Sequence, residues 1–374
     1  MQPLDNIKVL DFSTLLPGPL AGLVLAEAGA EVLKIERPGF GEEMRHYQPR
    51  WGEESMNFTL LNRGKKSLVL DLKDAEHIKL LKPLICQADI LLEQFRPGVM
   101  ARLGLDYETV KKWNPELIYC SVSGYGQSGP KAGQAGHDLN YIGDAGLFDL
   151  SMGPDDNPTI PPALIADIGG GTYPALVNIL LALIARQRTG KGTHLDIAMT
   201  DHLFMLMFWA QGEGTATGQW PQSGKGLLTG GSPRYQVYQT RDHKFIAAAP
   251  LEEKFWKNFC ALIDLPPALI SSNDAEKVIA AVRKIIALET SSHWHKVFDQ
   301  QDCCCCVVKT LSQALKDNHF QYRGLFEQQV LNSDGESLQA LPVCVVSQFR
   351  DQKNKVRKAP ALGSHKPENG FAVE

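Results

Sequence analysis

Short apolar runs alternate with stretches of helical spacing from the first residues of the chain. Ile7 to Ser13 (IKVLDFS) predicts a strand, and PLAGLVLAEAGA predicts a helix that closes around Gly29 as its C-cap. EVLKIERPG predicts a second strand, ending at Arg37-Pro38-Gly39. The alternation then repeats. SLVLDL, ADILLEQF and LIYCSVSGYG read as strands, with DAEHIKLLKPLICQ and DYETVKKWNP as the helices between them. Strands separated by helices predict a parallel, doubly wound α/β sheet.

Further along, Gly169 to Arg186 reads as a long apolar helix for a core or an interface, followed by a strand and a helix in TGKGTHLDIAMTDHLFMLMFW. From Gln211 to Pro233 periodicity fades into a Gly-, Thr- and Gln-rich stretch, which reads as a linker. YQVYQTRDHKFIAAAP predicts a hairpin turning at Arg241-Asp242-His243, and helices are expected over 252–263, about 274–299 and 311–318. The expected organisation is a large domain over 1–200, a linker over 201–232, a small α+β domain over 233–322 and a tail over 323–374.

Composition narrows this picture modestly. A net charge of −4 gives no reason to expect a nucleic-acid or membrane-surface partner, so any anionic ligand needs a local Arg and Lys cluster. No window of about 20 apolar residues stands out as a bilayer span, and no signal peptide or retention address is evident. The expectation is a cytoplasmic protein. The run Cys303, Cys304, Cys305 and Cys306 has the wrong spacing for a metal, because neighbours along a strand point to opposite faces. It reads as a buried strand using Cys as a small apolar residue.

Three places carry candidate chemistry. GYGQSG (Gly124 to Gly129) has the form of a dinucleotide fingerprint, but Pro130 and Lys131 follow where a helix should open, so a Gly-rich loop offering backbone amides is favoured. Glu36 and Arg37 close one strand and Arg96 another. An acid there commonly meets a ribose hydroxyl, though an ordinary charged strand end fits Glu36 and Arg37 equally well; arginines at two strand ends suit a polyphosphate-bearing ligand. His137, in QAGHDLNY, is a loop histidine suited to proton transfer or merely part of a polar turn. Asp167, in ALIADIGGG, is either an acid in an apolar setting or the cap of the helix that follows.

Taken together, VLDFSTLLPGPLAGLVLAEAGAEVLKIERPG, NRGKKSLVLDLK, FRPGVMARLGLDY, AGHDLNYI, ADIGGGTYPALVNILLALIARQRTGKG and GGSPRYQVYQT resemble, in order, the family III CoA-transferase/racemase (CaiB/BaiF) family. AGHDLNY and GGSPRYQVYQT look most like its α-methylacyl-CoA racemase branch. The resemblance implies a Rossmann-like large domain, a smaller α+β domain, a C-terminal return to the large domain, and an interlocked-ring homodimer. It implies epimerisation of 2-methylacyl-CoA thioesters, with His137 and Asp167 as two catalytic bases and Glu252 as a supporting acid from the partner chain. Arg37, Leu70, Asp71, Leu72, Lys73, Arg96, Gly136, Asp138, Leu139, Asn140 and Tyr141 match positions that contact coenzyme A or the acyl group. No separate cofactor and no metal are implied, since coenzyme A arrives with the substrate. The segment between Pro38 and Asn62 is longer than the racemases usually carry and closer to the transferase branch, in which Asp167 would be a nucleophile.

Overall fold

Six parallel strands carry the larger part of the molecule. The structure is a computed structural model that describes residues 2–151 and 159–371. It divides into two compact units: Met1–Ala145, Pro161–Leu206 and His319–Glu374 form one, while Gly146–Ile160 and Met207–Asn318 form the other.

In the first unit the strands are β1 (Lys8–Asp11), β2 (Glu31–Glu36), β3 (Lys66–Val69), β4 (Ile90–Glu93), β5 (Ile118–Ser123) and β6 (Thr193–Ala198). They pair in the order β3-β2-β1-β4-β5-β6, all parallel. Helices cover both faces, so the inner strands read as unbroken apolar runs such as Ile90–Leu92, each fully buried. Helix α1 (Pro17–Glu27) joins β1 to β2; it opens on Pro17, whose missing N–H costs nothing in a first turn, and Gly29 follows its end at φ +108°. Strand order reverses between β1 and β4. The loops leaving those two strands diverge there and leave a crevice.

The long apolar helix is composite. Ala166–Thr172 is a π-helix, and it runs directly into the α-helix α2 (Tyr173–Thr189). The 24-residue run Ala166–Thr189 is long and apolar enough to cross a bilayer by length and composition, which departs from the expectation that no such window exists; half of that window is buried. An outward stripe of Tyr173, Val177, Leu180, Leu181 and Ile184 is exposed.

The second unit has an antiparallel sheet with Phe245–Ala248 between Gln236–Gln239 and Cys305–Val307. His243, at φ +58°, makes the hairpin turn. Trp256, Phe259, Val282, Ile286, Trp294 and Phe298 form its core. The helix expected over 274–299 is two helices, Ala275–Ile286 and Ser291–Phe298. Between them the Thr290 side chain caps the second helix, and Asp242 accepts the Ser291 N–H and hydroxyl at 2.7 Å each, which holds the break open. Helix Phe208–Thr217 reaches into the stretch read as a linker and stops at left-handed Gly218. Of the four-cysteine run, only Cys303 is fully buried; Cys304 and Cys306 are exposed.

Candidate active site

The crevice at the strand-order reversal is walled by the turn after β1 (Phe12 to Leu16) and the turn after β4 (Gln94 to Pro97). Two cavities open there, and both are bounded by Thr14 and Phe95. A chain of buried charges clamps the first turn. Lys65 Nζ sits 2.9 Å from Asp11 Oδ2, and Lys34 Nζ sits 2.6 Å from Glu42. Asp11 Oδ1 accepts the Ser13 N–H at 2.9 Å, Lys34 donates to the Ser13 carbonyl at 2.7 Å, and Glu42 accepts the Leu15 N–H at 2.8 Å. That last bond supports Leu15 at φ +62°, a conformation that non-glycine residues seldom adopt. Burial alone would raise the Asp11 pKa, but Lys34 and Lys65 overcome it and hold the carboxyl at about 2.

His137 and Asp167 line the same cavity, of about 430 Å³, together with Arg96, Gly136, Asn140 and Tyr141. His137 is exposed and occupies the N-cap of the short helix Asp138–Asp144; its N–H donates to Asn140 Oδ1 at 3.0 Å, which steadies the loop. The Tyr141 ring fills the space that side chains on Gly124 and Gly136 would take, and its hydroxyl donates to the Gly136 carbonyl at 2.5 Å. Those two glycines are therefore required by close approach to an aromatic ring.

Asp167 lies in the first turn of the π-helix, a rare geometry that recurs at functional sites. Its side chain does not cap the helix. Asp138 does so instead, accepting the N–H groups of Ala166 and Asp167 at 2.6 and 3.0 Å. Asp138, expected to touch the ligand, is buried beneath the site in this role. Burial, with the Asp138 charge adding to it, pushes the Asp167 carboxyl up to about 6; His137 opposes the shift.

The second cavity, of about 370 Å³, gathers Arg37, Leu70, Asp71, Leu72 and Lys73. Arg37 lies over the Phe40 ring, 4.2 Å from its centroid, and donates through Nε to the Gly41 carbonyl at 3.1 Å. Glu36 does not offer a free carboxylate for a ribose hydroxyl. Arg45 holds both its oxygens at 2.7 Å, and Ser67 Oγ and the Glu42 N–H also donate to it. Arg45 and Glu42 both belong to the long segment after Pro38, so that segment builds one wall of the cavity. Leu139 is 43% exposed and does not line either cavity. Glu252 is exposed at the N-cap of helix Glu253–Leu262, in the other unit.

Local sequence patterns do not single out Thr14, Phe95 or the clamp residues Lys34 and Glu42. Thr14 and Phe95 lie just beyond the ends of β1 and β4, whereas Lys34 lies within β2 and Glu42 in the segment that follows it.

The chain matches the model for CoA-transferase family III over residues 4–366. It is 34% identical to α-methylacyl-CoA racemase of Mus musculus, over 99% of this chain and 94% of the relative. It is also 35% identical to acetyl-CoA:oxalate CoA-transferase of Acetobacter aceti, over 78% of this chain and 77% of the relative. A solved structure of a CaiB/BaiF family protein from Brucella suis superposes with a TM-score of 0.81 at 28% identity, covering 99% of this chain and 98% of that one. Racemases and transferases thus both stand among its relatives, and the crevice at the strand reversal belongs to an enzyme of CoA-transferase family III.

Proposed function

We propose that this enzyme inverts the α carbon of a 2-methylacyl-CoA thioester by two-base proton transfer. His137 removes the α proton from one face while protonated Asp167 delivers a proton to the other, and the roles exchange in the reverse direction. The observation that carries this reading is that both side chains line one cavity, with the Asp167 carboxyl pushed to about 6. A carboxyl tuned towards neutrality can hold a proton to give and still accept one, as a two-base reaction asks. Arg37 and Lys73 in the second cavity suit the nucleotide phosphates of coenzyme A, and Arg96, Gly136, Asn140 and Tyr141 suit the segment leading to the acyl group.

A second reading is supported by the transferase relatives and by the cavity wall that the long segment after Pro38 builds. In it, the Asp167 carboxylate attacks the thioester carbonyl and releases coenzyme A as an acyl anhydride forms on the enzyme. The Glu252 role and the interlocked homodimer belong to the proposal as well. The apolar stripe from Tyr173 to Ile184 supports self-association.

Incubation with a 2-methylacyl-CoA in D2O, with no acceptor acid present, separates the two. The racemase reading expects deuterium at the α carbon, lost by at least about a hundredfold in His137→Ala. Absence of exchange, with coenzyme A transfer once a second carboxylic acid is added, would sink it.

A further inference from the structure

The last residue of β4 is a buried acid that neither reaction uses. Glu93 is 2% exposed. Its Oε2 accepts the Phe95 N–H at 2.8 Å, and the hydroxyl of Ser121, its register partner on β5, also bonds to the carboxylate. Ser121 Oγ is in turn 3.0 Å from His194 Nε2 on β6, and the His194 ring stacks on Tyr107 at 5.4 Å.

What Glu93 holds is the turn that carries the site. Phe95 bounds both cavities, and Arg96 follows it directly. The same turn is tied on its other side by Gln94 Oε1, which accepts the Gly18 N–H at the start of α1 at 3.0 Å. A carboxylate accepts an N–H about twice as strongly as a neutral acceptor does. The charge on Glu93 therefore sets how firmly the wall between the cavities stands.

We propose that Glu93 is a positioning residue, whose ionised carboxylate fixes Phe95 and Arg96 for coenzyme A and whose loss of charge weakens that grip. This rests on the reading of the two cavities as the coenzyme A site. Burial is the main force raising the Glu93 pKa, to about 7; Asp196 adds to it, and the Ser121 and Phe95 donors oppose it. Around the carboxyl, Tyr119 and Cys120 on β5 and Asp196 on β6 are within electrostatic reach, and Asp11 on β1 is already paired with Lys65. Among the described residues no salt bridge reaches Glu93, so its charge is free to change within the neutral range.

The test is the Kd of coenzyme A, by calorimetry from pH 6 to 8, for the wild type and Glu93→Gln. The amide is isosteric, neutral at every pH, and still able to accept the Phe95 N–H. At pH 8 the variant is expected to bind about fivefold more weakly, and at pH 6 the two should agree within about twofold. Titrations on the ligand are common to both proteins and cancel in the ratio. A purely structural role lowers affinity by one factor at every pH, so parallel curves overturn the proposal. Ser121→Ala removes a donor to the charged form and is expected to move the bend in the curve to higher pH; an unmoved bend also overturns it. A wild type that binds no coenzyme A at any pH overturns the assignment of the cavities, and this proposal with it.

Discussion

A carboxyl in the first turn of a helix is ordinarily held in its charged form by the helix dipole and the free amides. At Asp167 that stabilisation is diverted. Asp138 takes the amides of Ala166 and Asp167, while burial, with the Asp138 charge adding to it, raises the Asp167 carboxyl. Asp167→Asn is expected to lower kcat by about a thousandfold or more, measured as α-proton exchange. Its stability should move the other way. The folded pKa of about 6 lies above the ordinary 3.8, so the wild type's advantage is fully present below about pH 4 and is lost as pH rises through 6. Above pH 7 the Asn variant should be more stable by about 1–2 kcal/mol, a range reduced because the group is only half-buried. Chemical denaturation at pH 4 and pH 8 checks this, and equal differences at both would refute it.

The π-helix Ala166–Thr172 is the element that aims Asp167, and its glycines explain how it packs. A Cβ on Gly170 would collide with the Met199 backbone carbonyl, whereas one on Gly169 meets only the end of the Leu206 side chain at 3.3 Å. Gly170→Ala is therefore expected to cost about 1–3 kcal/mol and to displace Asp167, while Gly169→Ala is tolerated. Thermal unfolding with an activity measurement on each variant distinguishes them, and equal behaviour would contradict the packing. Periodicity does reveal a long apolar helix here, but not its π-helical start. The π-helical turn packs its Gly170 backbone closely against Met199, a residue outside the segment. The same limit explains the helix expected over 274–299. Its break depends on Asp242 from the hairpin turn, a residue remote in sequence.

At the scale of the molecule, a sheet ordered β3-β2-β1-β4-β5-β6 places the ligand crevice at the one reversal of strand order, and the candidate residues of the larger unit other than Asp138 and Leu139 line it. Glu252 lies in the other unit and, in the proposed assembly, acts from a second copy. Replacing Val177 and Leu181 together with Lys puts two charges into the exposed stripe of α2. Sedimentation is expected to show a dimeric wild type and a monomeric variant, with at least about tenfold lower exchange activity in the monomer. A wild type that is monomeric and fully active would rule out the interlocked arrangement.

The alternation of apolar runs and helical spacing was sufficient to determine a parallel α/β sheet, because a strand buried on both faces must be apolar throughout and a crossover helix must bury one side. His137, Asp167, Arg37 and Arg96 stood out as candidates as well, each beside glycines or at a strand end, although alone His137 read equally as part of a polar turn and Asp167 as a helix cap. What tertiary structure decided is how those residues are used. It gave Asp138 to the helix amides, spent Glu36 on Arg45 and Ser67, and raised the Asp167 pKa. It also placed Glu93 under the turn that both cavities share. Each outcome depends on burial and on partners brought from distant parts of the chain, and local periodicity carries no record of either.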